Sequence, residues 1–437
     1  MIGLRIADWR RSALVLLVAM VAGVALLACS SDEDATPTAT AAAGDGTATA
    51  TAGAMAPLKI GFLADFSGPL AEFGPEIQKG VELAVKHIND AGGVHGQPVT
   101  FVVGDDKTDA AAATEEARRL IEVEGVSAIV GPLASGITIA VSESIAGPAK
   151  VIVISPSATS PAVTTAKDSD FLFRSTTSDA AQGVILADLA KADGIEKVGV
   201  LYLDDAYGQG LADAFEAAFG AANVAKAAFQ DGSASYLAEL QAAAAGGADT
   251  LVAIGYPTQA QIFIREALEN DLFAKFLFVD GTKSEDLIAA VGAETLEGMK
   301  GTAPVGGPAN AATQAWDAAF QAEFGALPTR PFVREAYDAV IAIALAAEKA
   351  GSNDGAAIRD ALRDVAGPGG ATFIPGAESV KAAIEAVRAG TEIDFDGAAT
   401  TLNWDANGDV TTGFIGIWQY QGGAIVELDT VPFDLSN

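Results

Sequence analysis

Hydroxyl-bearing residues stand at one predicted strand end of this 437-residue chain, in a position where they could bind an anion. Ser135 and Gly136 follow the apolar run Ala128–Val130 and open a predicted helix that begins near Ile137. The first N–H groups of a helix have no partner within it, and together with a hydroxyl they suit an anionic group. The alternative is that Ser135 only caps this helix, because serine is a standard N-cap residue.

Two further predicted strand ends carry polar side chains. The segment Ser157–Thr159 directly follows the apolar run Val151–Ile154, and Asp280 directly follows the run Phe276–Val279. Open α/β sheets bind their ligands at the carboxyl ends of strands, so these positions predict a binding site at that edge. For the hydroxyl residues of Ser157–Thr159, simple N-capping is again the alternative role.

The elements that must hold these residues alternate along the chain from Leu58 onward. Short apolar runs predict buried strands at Leu58–Leu63, Val99–Val103, Ala128–Val130, Val151–Ile154, Val198–Leu203, Thr250–Ile254 and Phe276–Val279. Longer Ala-rich amphipathic stretches predict helices between them, at Gln78–Ala91, Ala111–Glu124, Ser178–Ala192, Gly208–Phe219, Ser235–Ala245 and Gln259–Asn270. Strands that are apolar throughout and separated by helices predict βαβ units, parallel sheets and an α/β fold.

The number of predicted strands favours two doubly wound lobes over a single sheet. Seven strands are predicted before residue 280, and this number is too large for one sheet with loops of this length. Beyond residue 305 the pattern is helical, over Ala312–Phe324, Pro331–Ala350, Ala356–Val365 and Ser379–Arg388, and then β-like from Thr400 to Val431.

Composition excludes several classes of function. The chain carries 26 basic and 57 acidic residues, a net charge of −31, and such a surface repels the phosphate backbone of nucleic acids. One cysteine and two histidines leave little material for metal ligation or for histidine acid–base chemistry. The sequence has no G-x-G-x-x-G, P-loop or G-x-S-x-G motif. We therefore expect no nucleic-acid partner, no metal, no cofactor and no enzymatic activity.

The N-terminus has the layout of an export signal. Arginines precede an apolar run at residues 12–28, which ends in Leu-Leu-Ala directly before Cys29, the one cysteine of the chain. This ending resembles the lipobox of bacterial lipoproteins, in which the cysteine is diacylated and becomes the new N-terminus. A single membrane anchor is the alternative. We predict a signal peptide at 1–28 and a lipid-anchored Ala/Thr-rich linker at 29–57.

The remainder resembles the branched-chain amino-acid-binding proteins, the extracytoplasmic receptors of ABC importers. The segments that carry the resemblance are "IGFLADFSGPLAEFGPEIQKGVELAVKHINDAGGVHGQPVTFVVGDDKTD", "AIVGPLASGITIA", "VISPSATSPAVTT", "FLFRSTTSDAAQG", "DDAYGQGLADAF" and "LNWDANGDVTTGFIGIWQY". They occur in order over essentially all of residues 58–437. The resemblance implies a type I periplasmic-binding-protein fold, with two hinged lobes that close on a ligand. Lobe one would be 58–177 plus 305–396, and lobe two 178–304 plus 397–437.

The resemblance also implies how an amino-acid carboxylate would be held. Matched to the family, Ser135 and Thr159 would donate side-chain hydrogen bonds to the carboxylate, and Ser157 would contribute mainly backbone groups. Gly136 and Ala158 belong to the same two segments and are predicted to contact the ligand with them.

The ammonium group and the side chain of the ligand would meet other residues. The family commonly has an acidic residue near Asp280 that accepts the ammonium, but the alignment needs a one-residue gap, so Glu285 is the alternative. Tyr207 and Tyr256 match positions that flank the ligand from lobe two, and their alternative role is that of rim aromatics. Phe73 stands where relatives often carry tyrosine, so it keeps the apolar wall without the hydroxyl.

Two functions fit this combination of residues. In the first, the protein is a monomeric lipoprotein on the outer face of the cell membrane, or in a periplasm. It captures a small amino-acid-like ligand and passes it to the permease of an ABC importer. In the second, the same fold senses amides or aromatic acids for a signalling or regulatory system. The sequence does not fix the identity of the ligand.

Overall fold

The computed structural model of the chain describes residues 55–436. The predicted signal peptide 1–28, the predicted lipidation site Cys29 and nearly all of the 29–57 linker lie outside the described residues. None of the helices in the described part of the chain combines the length and the apolar composition of a membrane-spanning segment.

Strands and helices alternate along the described residues. The strands are β1 (Lys59–Ala64), β2 (Thr100–Asp105), β3 (Ala128–Val130), β4 (Ile152–Ser155), β5 (Leu172–Arg174), β6 (Val198–Leu203), β7 (Val224–Phe229), β8 (Thr250–Ile254), β9 (Lys275–Phe278), β10 (Lys300–Val305), β11 (Ala371–Phe373), β12 (Ile393–Phe395), β13 (Thr412–Gln421) and β14 (Ala424–Asp434). The helices are α1 (Gly74–Asp90), α2 (Ala110–Arg118), α3 (Ser135–Val141), α4 (Gly147–Ala149), α5 (Asp179–Ala192), α6 (Ala206–Phe219), α7 (Leu237–Ala244), α8 (Pro257–Glu269), α9 (Asp286–Val291), α10 (Ala293–Leu296), α11 (Ala311–Phe324), α12 (Val333–Ala350), α13 (Gly355–Val365) and α14 (Ala377–Arg388).

The first large sheet is parallel throughout. Its strand order is β2-β1-β3-β4-β5, and each neighbouring pair runs in the same direction. Strands β3 and β4 are buried along their whole length, as expected of parallel strands covered by helices on both faces. The carboxyl ends of β1, β3 and β4 therefore meet at one edge of this sheet.

The second large sheet has the strand order β14-β13-β10-β9-β8-β6-β7. Its strands are parallel from β10 to β7, whereas β13 pairs antiparallel with β10 and β14 antiparallel with β13. A small third sheet pairs β11 with β12. The predicted α/β class with doubly wound parallel sheets is confirmed, while the boundaries of the two lobes stay a prediction.

A buried carboxyl group joins the central helix to a late segment of the chain. Asp338 lies on α12 with no exposed surface, and its Oδ1 accepts a hydrogen bond of 2.7 Å from the Ala398 N–H. Its Oδ2 accepts another of 2.8 Å from the Ala399 N–H. Burial raises the pKa of Asp338 to about 8 and that of its helix neighbour Glu335 to about 7.

These raised pKa values predict that the melting temperature falls as pH rises from about 6.5 to 8.5. The unfolded chain has both carboxyls ionised there, whereas the folded protein loses the Glu335 proton only near pH 7 and the Asp338 proton only near pH 8. Each proton that the folded protein keeps and the unfolded chain releases lowers the free energy of unfolding by up to about 1.4 kcal/mol per pH unit as pH rises. Thermal melting followed by circular dichroism would measure this, and Glu335→Gln should flatten the dependence. A melting temperature that rises over this range contradicts the prediction.

Candidate functional site

A cavity with an empty volume of about 320 Å³ lies where the carboxyl ends of strands from both large sheets face each other. Its lining residues follow strands β1, β3 and β4 of the first sheet and strands β6, β8 and β9 of the second. One further lining residue, Phe332, directly precedes α12. The lining residues are Leu70, Phe73, Ile77, Leu133, Ala134, Ser135, Ser157, Tyr207, Tyr256, Asp280, Gly281 and Phe332. No Lys, Arg or His is among them.

The structure brings most of the predicted site residues to this one cavity. Those on its wall are Phe73, Ser135, Ser157, Tyr207, Tyr256 and Asp280. They come from segments far apart in sequence, and the strand ends bring them together as the α/β pattern predicts. Their contact with a ligand stays a prediction.

The hydroxyl side of the cavity is formed by the start of α3 and the loop after β4. Ser135 is the first residue of α3, and its Oγ accepts a hydrogen bond of 3.2 Å from the Ser160 N–H. Its hydroxyl hydrogen is therefore left for a group in the cavity. The Ser157 hydroxyl instead donates to the Leu133 carbonyl at 2.9 Å, so its hydrogen is not free for a ligand carboxylate.

The other three predicted contacts do not line this cavity. Thr159 is fully buried, and its hydroxyl donates to Asp179 Oδ2 at 3.0 Å. Ala158 is fully buried as well, and its N–H donates to Ser155 Oγ at 3.0 Å. Gly136 lines an adjoining cavity of about 570 Å³ that shares part of the wall of the first.

The acidic side of the cavity is formed by Asp280, directly after β9. Its carboxyl is buried, and Oδ1 accepts hydrogen bonds from Gln182 Nε2 at 2.8 Å and Tyr207 Oη at 3.0 Å. Burial raises the pKa of Asp280 to about 6, and the two hydrogen bonds act in the opposite direction. The alternative residue Glu285 is exposed and does not line the cavity.

Aromatic rings form much of the remaining wall. Tyr207 and Tyr256 are both buried and stack on each other, with ring centroids 5.6 Å apart and ring planes 6° apart. The apolar side chains in the lining are Leu70, Phe73, Ile77, Leu133 and Phe332. The cavity thus combines a hydroxyl and helix-start side, a carboxylate side and an apolar wall.

Phe332 on the cavity wall and the buried Asp179 beside Thr159 are among the residues that the sequence did not predict. Phe332 falls inside the predicted helix Pro331–Ala350, but α12 begins only at Val333 and Phe332 has φ 76°. This left-handed conformation is uncommon for a bulky residue, and no sequence signal marks it. Asp179 begins α5 in full burial, where burial and the charge of Asp280 raise its pKa.

Polar contacts close the wall beside Phe73. Ser284 Oγ donates to Glu72 Oε2 at 2.9 Å, so the residue before Phe73 is joined to the segment after β9. Arg330 Nη2 lies 2.7 Å from Glu72 Oε2 and 3.6 Å from Asp286 Oδ2, and its guanidinium stacks over the Phe73 ring at 5.3 Å.

Within residues 55–436, no cluster of three or more His, Cys, Asp or Glu side chains could hold a metal ion.

Comparison with known proteins gives concordant matches. The family model described as periplasmic binding protein matches residues 57–371. The chemotactic signal transduction system substrate-binding protein BasB of Halobacterium salinarum is 30% identical, over 82% of this chain and 86% of BasB. The Leu/Ile/Val-binding protein homolog 3 of Brucella melitensis is 28% identical, over 86% of this chain and 95% of the relative.

A solved structure agrees with these relatives. It is the branched-chain amino acid transporter substrate-binding protein LivJ of Streptococcus pneumoniae, in complex with isoleucine. Its TM-score is 0.70 at 27% identity, with 86% of this chain and 100% of that chain covered.

Proposed function

This chain belongs to the periplasmic binding protein family, and we propose that it captures an apolar α-amino acid between its two large sheets and delivers it to an ABC importer. The family resemblance and the type I periplasmic-binding-protein fold predicted from the sequence are confirmed. Members of this family bind solutes and are not enzymes, so the prediction of no catalysis is confirmed by the family.

The observation that carries the proposal is the placement of Asp280 in the cavity. An α-amino acid presents an ammonium, a carboxylate and a side chain on one carbon, and the cavity offers a matching surface to each. Asp280 would pair with the ammonium, and Ser135 at the start of α3 would donate to the carboxylate. The apolar wall formed by residues such as Ile77 and Phe332 would bury an aliphatic side chain.

The charge of the cavity favours an amine-bearing ligand over an aromatic acid. At neutral pH an aromatic acid would bring a second negative charge to a wall that holds Asp280 and no cationic side chain. LivJ of Streptococcus pneumoniae was solved with isoleucine, which supports a branched aliphatic amino acid as the ligand here.

A signalling role is the second candidate. It is favoured by the 30% identity to BasB, which is described as the substrate-binding protein of a chemotactic signal transduction system. The two roles share the ligand site and differ in the partner that receives the loaded protein.

A thermal-shift panel tests the ligand class. Branched-chain amino acids should raise the melting temperature, whereas amides and aromatic acids should not. A ligand at 100 times its dissociation constant stabilises the folded protein by about 2.7 kcal/mol, which is a readily measured shift. Stabilisation by aromatic acids alone would contradict the proposed ligand class.

The affinity for L-leucine should fall as pH drops below about 6. The ligand ammonium needs an ionised Asp280, whose pKa burial raises to about 6, so protonation of the carboxyl competes with binding. The loss approaches about tenfold per pH unit, because neither charged group of the ligand titrates between about pH 5 and 7. Calorimetry from pH 7.5 to 5 measures it.

The control for this pH dependence is Asp280→Asn, which should bind weakly at every pH with a flat profile. Burial also raises the pKa of Asp205 to about 6, but Asp205 caps α6 and does not line the cavity. A profile that stays steep in Asp280→Asn would assign the proton to another buried carboxyl, Asp205 or Asp179.

The lipoprotein assignment also belongs to this proposal, since it supports an anchored receptor outside the cytoplasm. Cys29→Ser should abolish incorporation of a fatty-acid probe and leave the precursor uncleaved or release soluble protein. Metabolic labelling followed by gel electrophoresis measures this. Equal labelling of Cys29→Ser and wild-type protein would contradict the assignment.

A further inference from the structure

The cavity has no cationic side chain to balance a ligand carboxylate, yet a buried guanidinium lies behind its hydroxyl side. Arg174 ends β5 with 1% of its surface exposed. Its Nη1 donates to the carbonyl oxygens of three consecutive residues, Ala158 at 3.3 Å, Thr159 at 3.1 Å and Ser160 at 3.0 Å. The guanidinium therefore fixes the backbone of the loop that follows β4.

The peptide units of this loop carry the effect of the guanidinium toward the cavity. In a trans peptide the N–H points opposite to the C=O, so the N–H groups of Thr159 and Ser160 point away from Arg174. The Ser160 N–H donates to Ser135 Oγ at 3.2 Å, and Ser135 lines the cavity. A continuous path runs from the guanidinium through the Thr159–Ser160 peptide to the Ser135 hydroxyl.

We infer that Arg174 is a positioning residue that supplies the buried counter-charge for the ligand carboxylate through this peptide and Ser135. Hydrogen bonds in such a chain polarise one another, so a positive charge at one end makes the Ser135 hydroxyl a stronger donor at the other. The same contacts hold Ser160, and with it the Ser135 hydroxyl, in the orientation that leaves its hydrogen free. This inference rests on the proposed binding of an amino acid.

Asp409 lies at another edge of the guanidinium, where its negative charge partly offsets the positive charge of Arg174. Arg174 Nε lies 2.7 Å from Asp409 Oδ1, as an ion pair without the alignment of a hydrogen bond. Thr164 bridges the pair, because it accepts from Arg174 Nη2 at 3.1 Å and donates to Asp409 Oδ2 at 2.6 Å. Removal of the Asp409 charge should therefore strengthen the field that Arg174 exerts on the loop.

The test compares two probes that differ only in the carboxylate, L-leucine and L-leucinol. In Arg174→Lys the shorter side chain has no second group to reach Thr164 and Asp409, so its ammonium is not held against the loop carbonyls. The affinity for L-leucine should therefore fall about tenfold or more while that for L-leucinol changes little. In Asp409→Asn the preference for L-leucine over L-leucinol should instead rise. In a Ser135→Ala background, Arg174→Lys should have no further effect on this preference. Calorimetry measures all of these affinities.

Arg363→Gln is the matched control. Asp409 ends a turn that begins at Asp405, and Arg363 donates to the carbonyls of Asp405 at 2.9 Å and Ala406 at 3.3 Å in that turn. None of the Arg363 hydrogen bonds reaches the loop after β4. This variant should leave the preference for L-leucine unchanged.

The outcomes separate the inference from the function it rests on. The inference would be overturned if Arg174→Lys weakened the binding of both probes equally. It would also be overturned if the preference for L-leucine over L-leucinol fell in Asp409→Asn as it does in Arg174→Lys. Either result would mean that Arg174 only supports the fold. Failure of the wild-type protein to bind either probe would overturn the proposed function, and with it the inference.

Discussion

Asp280→Asn is expected to weaken the binding of L-leucine by about 30-fold to several thousand-fold, the range for loss of one partner of a buried charge pair. The variant leaves the ligand ammonium out of water without a counter-charge. It also places an amide where Gln182 and Tyr207 now donate to a carboxylate oxygen. Isothermal titration calorimetry at neutral pH measures the affinity.

Glu285→Gln is the control for this prediction, because Glu285 is the sequence-based alternative and is exposed away from the cavity. It should bind L-leucine within about twofold of wild type, as expected of a surface substitution. Wild-type affinity in Asp280→Asn would reduce Asp280 to a strand-end cap. The ammonium role would then pass to Glu285, or the ligand would carry no amine.

Asp338→Ala is expected to destabilise the fold by about 2–6 kcal/mol, because it leaves two buried N–H groups without an acceptor. The groups are those of Ala398 and Ala399, in the segment that leads toward β13. A loss of this size is a large part of the stability of a typical protein. Thermal melting at one pH compares the variant with wild type.

Two further variants serve as comparisons for the stability of Asp338→Ala. Asp338→Asn keeps one carbonyl acceptor and should lose less stability than Asp338→Ala. Asp360→Ala removes a carboxylate from the exposed side of α13, where its partner is the neighbouring Arg359, and should change stability by less than about 0.5 kcal/mol. A melting temperature of Asp338→Ala equal to wild type would show that other groups hold the segment.

Strands with longer continuous apolar runs were predictable from the sequence, whereas β5, β7, β10, β11 and β12 were not. The first, β5, and the pair β11 and β12 are only three residues long, and β7 and β10 have a mixed composition. Strand β7 reads VAKAAF, whose alanines and lysine favour helix, and its pairing with β6 overrides that preference. Strand β10 contains Pro304, which usually argues against a strand within a sheet. Here β9 pairs only with Lys300 and Gly301, so Pro304 lies beyond that ladder and its missing N–H does not interrupt it.

The candidate site was predictable where a strand end alone decides a position, as for Ser135 and Asp280. It was not predictable where a contact depends on packing between distant segments. The Thr159 hydroxyl was expected to face the ligand, but the buried start of α5 brings Asp179 within hydrogen-bond distance. The role of Arg174 depends on carbonyl positions that only the folded loop defines.

The central claim is that the cavity binds an amino acid through its ammonium on Asp280. Its most direct test is calorimetry of the wild-type protein at neutral pH with L-leucine and with isocaproate, the analogue that lacks the amine. The account predicts one-to-one binding of L-leucine and binding of isocaproate at least about 30-fold weaker. Isocaproate binding as tight as that of L-leucine, or tighter, would contradict it.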